Sequence, residues 1–340
     1  MEKVALKDAV GYRLGHDLTE IVPEKNIKHS LFKKGHLITE ADLEQLKDLG
    51  KNSIYVWQEG DSDVHEDEAA VTVAPLIAGE NITFDPEPGE GKISFYASCD
   101  GLFKVDVERL FQINSLEIPS LPTLYTNSPV EKNKQVAAFR IIPLTCKPSI
   151  IDKITTILNK PLISVIPFQE KKAGIIVTGN EIYEGRIKDS FIPKLTTILQ
   201  KYRTEIVDSV ILPDNRSLIG NEVLRLCETC DIIFVTGGTS VDPDDQTVAA
   251  LRDAGVTYRI KGNPIQPGNN FTVGYKGKVS ICAVPAATLH FRATALDVFL
   301  PRLLIGEQIP VEVFYQAGHG GLCLQCKTCH FPTCPFAVVN

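Results

Sequence analysis

The feature that most constrains this chain is a succession of short apolar runs, each closed by a turn residue and separated from the next by helical periodicity. Ala173–Thr178 is apolar and stops at Gly179. Ile192, Leu195, Ile198, Leu199 and Tyr202 then share one helical face, entered through Asp189-Ser190 with Pro193 in the first turn. Glu205–Leu212, Asp231–Thr236 and Lys278–Val284 repeat the strand pattern, and Leu218–Cys227 and Ala287–Leu304 the helical one. Such alternation predicts an α/β fold with a parallel sheet covered on both faces. Ligands bind beyond the carboxyl ends of the strands in sheets of this kind, so the loops after Thr178, Leu212, Thr236 and Val284 matter most.

The richest of these loops reads Thr236-Gly237-Gly238-Thr239-Ser240-Val241-Asp242-Pro243-Asp244-Asp245-Gln246-Thr247. Adjacent glycines let the backbone turn tightly and approach a ligand without Cβ interference. Thr239 and Ser240 offer hydroxyls, and exposed N–H groups can cradle a phosphate. Asp242, Asp244 and Asp245 would repel that anion unless a hard cation such as Mg²⁺ lay between them. A tight turn followed by an aspartate-capped helix explains the same residues without a ligand. After the first strand comes Thr178-Gly179-Asn180-Glu181-Ile182, where Glu181 can orient a ligand or help bind a cation. Asp189 and Ser190 fit helix capping as well as ligand binding. Pro213-Asp214-Asn215 is a turn first and makes Asp214 a lesser candidate.

Taken in order, TGNEI, the DS helix entry, LPDN and TGGTSVDPDD resemble the molybdopterin-binding domain shared by molybdopterin adenylyltransferases and molybdenumtransferases. The resemblance implies that Thr178, Gly179, Asp189, Ser190, Asp214, Gly237, Gly238, Thr239 and Ser240 hold molybdopterin, with Pro267-Gly268 as a further ligand loop. It implies catalytic roles for Glu181 and Asp245, and Mg²⁺ on Asp242, Asp244 and Asp245. Additional domains ahead of this module look more like the molybdenumtransferase branch, which inserts molybdate into adenylated molybdopterin and releases AMP. Homodimers are also a family-level expectation. Three departures stand out. Asn269-Asn270 follows Pro267-Gly268 where the transferases place a lysine, and Val284-Pro285-Ala286-Ala287 replaces a glycine-richer loop. Residues 1–60 lack the aspartate-bearing segment typical of transferase N-terminal regions.

The other regions are plainer. Residues 1–60 read as a small mixed α/β unit: Thr39 as N-cap, Leu43, Leu46 and Leu49 on one face, Gly50 as the stop, then a strand over Asn52–Trp57. Glu59–Glu68 is acid-rich without apolar periodicity and reads as a solvated linker opening a β-rich domain over residues 61–170. The molybdopterin-binding domain is assigned to residues 171–308 and a cysteine-rich tail to 309–340. With Lys+Arg 35 against Asp+Glu 42, the net charge of −7 favours neither nucleic acid nor an anionic membrane as partner. Met1–Val10 has no signal-peptide pattern and no run is apolar enough to span a bilayer, so the expected location is the cytoplasm.

Cys99, Cys146, Cys227, Cys230 and Cys282 are scattered and read as small hydrophobes of a reduced core. The tail differs: Cys323-x2-Cys326-x2-Cys329-His330-x3-Cys334-Pro335 can direct its thiolates at one centre. An iron–sulfur cluster and a four-thiolate Zn²⁺ site are the metal readings, with redox-active or disulfide-forming thiols as the other. Three functions follow for the whole chain. One is molybdate insertion into adenylated molybdopterin. Another is a non-catalytic carrier of the finished cofactor that serves a molybdoenzyme or a cofactor-synthesis partner. The least demanded is a nucleotide pyrophosphatase on the same scaffold.

Overall fold

The computed structural model describes residues 1–22, 27–57, 62–238 and 246–338. They form two compact units: residues 1–97, 105–124 and 133–164, and residues 98–104, 125–132 and 165–340. Among the described residues no helix is long and apolar enough to cross a membrane.

In the first unit Glu2–Ala5 pairs antiparallel with Ser53–Val56, beside the helix Asp42–Asp48. Leu14, Ile38, Leu46, Ile54 and Val56 form its core. The helix starts later than the sequence suggests. Thr39 and Asp42 still act as a starting pair, since the Thr39 amide and hydroxyl both donate to Asp42 Oδ2 at 2.8 Å. Gly50 ends the helix at φ +74°.

One expectation for this unit needs correction. The described end of the acidic stretch is no linker: Val64–His65 is a strand and Glu66 opens the helix Glu66–Ile77. Three consecutive acids stabilise a helix N-terminus by opposing its dipole. The following region is β-rich as expected, with a four-stranded antiparallel sheet accompanied by helices Val107–Asn114 and Pro148–Ile157. That sheet includes the strands Ile93–Ala97 and Gln135–Ile141.

The second unit is built on a six-stranded sheet. Its elements are β1 (Lys172–Thr178), α1 (Asn180–Tyr183), α2 (Phe191–Gln200), β2 (Glu205–Leu212), α3 (Arg216–Leu226) and β3 (Ile232–Thr236). They continue with α4 (Thr247–Asp253), β4 (Thr257–Ile260), β5 (Thr272–Lys276), β6 (Val279–Val284), α5 (Ala287–His290) and α6 (Ala295–Leu304). The spatial order is β2-β1-β3-β6-β5-β4.

The four expected strands are parallel, but the sheet as a whole is mixed, since β5 runs antiparallel to β6 and β4 antiparallel to β5. The two added strands are short and escape a periodicity argument. The expected closing helix is also broken, with Phe291 extended and Thr294 starting α6 through a reciprocal cap with Asp297.

Both faces are covered. Ile175, Val177, Phe234, Cys282 and Val284 pack with Leu195 and Leu199 of α2 and Phe299 and Leu303 of α6. Ile176, Ile233, Val235 and Ile281 pack on the opposite face with Val223 of α3 and Leu251 of α4. Alternation of neighbours such as Ile175 and Ile176 between layers is why these strands are apolar throughout. Cys230 and Cys282 are buried among these side chains and Cys146 in the first unit, while Cys99 and Cys227 are partly exposed.

Candidate functional site

Strand register gathers the singled-out loops at one edge of the sheet. Thr178 pairs with Leu212, Val177 with Thr236, and Thr236 with Val284, so all four parallel strands end together. β5 begins at that edge, with Thr272 opposite Ala283, which brings the preceding Pro267-Gly268 turn there as well.

At the end of β1 the Gly179 amide donates to the Leu212 carbonyl at 3.2 Å, tying the β1 and β2 termini together. Gly179 itself turns at φ +146°, where a Cβ would come within 2.8 Å of Glu181 Oε1. Glu181 is therefore folded back over the glycine, in an exposed turn at the sheet edge. Asn180 and Asp214 exchange bonds, amide to side-chain oxygen, at 3.1 Å each. Asp189 caps α2: its two carboxylate oxygens accept from the Phe191 amide at 2.8 Å and the Ile192 amide at 3.0 Å. Ser190 precedes the helix without a side-chain cap and is exposed.

Beyond β3, Gly237 and Gly238 turn at φ +84° and +53°. The space a Cβ would need at Gly237 is filled by Thr178, whose carbonyl oxygen would lie 2.2 Å away. At Gly238 it is filled by Thr247 Oγ1, 2.8 Å away. These glycines thus serve contact between the loop and its own floor. Thr178 belongs to that floor: it is buried, and its hydroxyl lies 3.4 Å from that of Thr247. Thr247 is fully buried and donates to the Gly237 carbonyl at 2.8 Å. Thr236 Oγ1 is buried and has no hydrogen-bond partner among the described residues. Thr239, Ser240, Asp242, Asp244 and Asp245 lie outside the described residues, and with them the expected Mg²⁺ ligands.

The Pro267-Gly268 turn follows a cis Gln266–Pro267 peptide and packs on the start of α6, where the Ala295 amide donates to the Pro267 carbonyl at 3.2 Å. Asn263 Nδ2 donates to the Gly268 and Phe271 carbonyls at 3.1 Å each. Asp297, which caps α6, is partly buried, and desolvation raises its carboxyl above the ordinary range despite its bonds to Thr294.

Motif matching overlooked Asn180, Thr247 and Asn263, which tie the loops together rather than advertise chemistry. Asn263-Pro264 was the available signal for the last of them, as a dipeptide that initiates turns.

The tail cysteines are not gathered into a metal site. Cys323 and Cys334 are partly buried against the core, while Cys326 and Cys329 are exposed. Among the described residues no three His, Cys, Asp or Glu side chains are grouped to hold an ion. Two-residue spacing permits convergence, but this segment has almost no regular structure to enforce it.

Residues 174–304 match the family model of a probable molybdopterin binding domain, and residues 3–58 match that of a domain of unknown function. A molybdopterin molybdenumtransferase of Haemophilus influenzae is 28% identical over 141 residues, 39% of this chain and 35% of that protein. A CinA-like protein of Petrotoga mobilis is 37% identical over 83 residues, 24% of this chain and 21% of that protein. The chain thus spans about a third or less of the length of these curated relatives. Among solved structures, the molybdopterin biosynthesis Mog protein of Mycobacterium ulcerans is 19% identical, with a TM-score of 0.34 over 39% of this chain and 94% of that one. The family match runs from within β1 to the end of α6, so it takes in every loop gathered at the sheet edge. Residues 174–304 form a domain of the molybdopterin-binding family associated with molybdenum cofactor biosynthesis.

Proposed function

We propose that this domain binds adenylated molybdopterin at the carboxyl edge of its sheet and exchanges the adenylate for molybdate, releasing AMP. The observation that supports this is the convergence there of the Gly179–Glu181, Asp214, Gly237-Gly238 and Pro267-Gly268 turns. In this reading the backbone of the glycine turn and the hydroxyls of Thr239 and Ser240 receive the terminal phosphate of the pterin. Asp242, Asp244 and Asp245 are the residues that would hold Mg²⁺, which neutralises phosphate charge when bound. Glu181, exposed at the rim and free of the capping duty that occupies Asp189, orients molybdate. AMP release from adenylated molybdopterin with molybdate and Mg²⁺, compared between wild type and Asp245→Ala, tests it. Release that depends on Asp245 supports the transferase; its absence from folded wild-type protein refutes it.

A second reading is a carrier that binds finished cofactor without turnover. Asn269-Asn270 supports it: these neutral side chains stand where the transferases place a lysine, so this turn lacks that positive charge. Tight binding of finished cofactor without AMP release distinguishes this reading.

A further inference from the structure

The four tail cysteines, though not grouped around one point, all line a single cavity of about 580 Å³, walled on its other side by residues 290–293 at the end of α5. The segment they belong to is anchored at both ends, and between them Arg292 Nη1 donates to the Lys327 carbonyl at 2.8 Å. At its start, the Gln266 amide donates to the Gly321 carbonyl at 2.8 Å and the Cys323 amide to the Gln266 carbonyl at 2.9 Å. At its end, the Ala337 amide donates to the Gly320 carbonyl at 3.0 Å. Cys326 and Cys329 lie between these anchors and are exposed. Leu322 and Leu324 beside them are 65% and 81% exposed.

We propose that Cys323, Cys326, Cys329 and Cys334 bind a thiophilic metal centre that closes this segment onto the turn carrying Pro267-Gly268. The donor set supports this, because four thiolates suit zinc or an iron–sulfur cluster and not a hard cation. Few apolar side chains in the segment are buried, so a cross-link at its centre would supply order that packing does not. Binding converts the coordinating thiols to thiolates and releases their protons to solvent; Zn²⁺ binds without electron transfer, and a four-iron cluster forms without it when ferrous and ferric iron are supplied in equal amounts with sulfide. The Gln266 bridge then passes the closure directly to the ligand turn, since Gln266 precedes Pro267.

The test uses the full chain, reduced and metal-free, freed of reductant and incubated anaerobically with Zn²⁺ in one arm and with equal ferrous and ferric iron plus sulfide in the other, then desalted. Retained zinc identifies a single ion and retained iron with sulfide a cluster; either supports the proposal. The Cys326→Ser/Cys329→Ser double variant, altered only at exposed positions, should retain at least about tenfold less metal, since even supporting residues around metal sites change affinity about 10–100-fold. Hydrogen exchange at the Gln266 and Cys323 amides should slow on loading in the wild type and not in the variant. Failure of both arms, equal retention by the variant, or unchanged exchange at these amides would overturn it.

Discussion

Asn180 and Asp214 clasp the ends of two neighbouring strands: each backbone amide donates to the other's side-chain oxygen at 3.1 Å. One residue follows β1 and the other follows β2, so the clasp fixes the spacing of two turns that flank the proposed pterin site. Asp214→Ala removes an acceptor from the Asn180 amide. The pair is exposed, so stability should fall by only about 0.5–1.5 kcal/mol, the net worth of an ordinary hydrogen bond. Molybdopterin affinity should fall more than that, because the turn bearing Glu181 loses its register. Urea unfolding and ligand titration on the same variant separate the two effects, and equal losses would argue that Asp214 only holds the fold.

Gly237→Ala should be costlier. The substitution places a methyl group against the Thr178 carbonyl at a φ of +84°. Backbone strain alone costs about 1–3 kcal/mol at such a position, and the steric contact adds to it. A shift of the urea midpoint to lower concentration with the slope unchanged would register this; an unaltered midpoint would mean that the turn yields easily.

Thr247→Val keeps the shape of a fully buried side chain and removes the donor to the Gly237 carbonyl. Loss of that bond should cost about 1–3 kcal/mol. Thr247→Ser should retain most of the stability, because its hydroxyl can still reach the carbonyl. Thermal unfolding of the two variants side by side tests the assignment, and equal destabilisation would point to packing instead.

Asp297 predicts a pH dependence. Burial raises its carboxyl above the ordinary aspartate value of 3.8, so the folded state holds its proton more tightly than the unfolded state. Stability from this group is complete below 3.8 and declines as pH rises from there through the raised folded value, then levels off. Asp297→Asn has no such titration and still offers an oxygen to the Thr294 amide. Plotted against pH, the stability of the variant relative to wild type should climb through this window. A flat difference would show that the carboxyl is not shifted upward.

Much of the second unit was legible because its strands are buried on both faces. Residues 173–178 and 231–236 announce themselves as apolar runs ending in glycine, and the carboxyl-edge rule then places the loops. β4 and β5 were not legible. Tyr258, Gly274 and Lys276 interrupt any simple pattern, and these strands form through antiparallel pairing across the sheet. Helix Glu66–Ile77 was hidden for another reason: its acidic first turn looks like solvated charge until the adjoining apolar residues are joined to it. Within the site, glycines and carboxylates were visible as chemistry, but their uses were not. Asp189 is engaged by two helix amides and Gly237 by the Thr178 backbone, and no spacing rule distinguishes such service from ligand binding.

The hydroxyl of Thr247 beneath Gly237 has a consequence for how this domain can diversify. The chain leaves the sheet edge at Gly237 and is held by the same residue on its return, so residues 239–245 are an excursion between two points already joined. Lengthening such an excursion costs little, because closure entropy grows only slowly with loop length. The segment between Gly237 and Thr247 can therefore change in length at little cost to the sheet and the glycine turn that bound it.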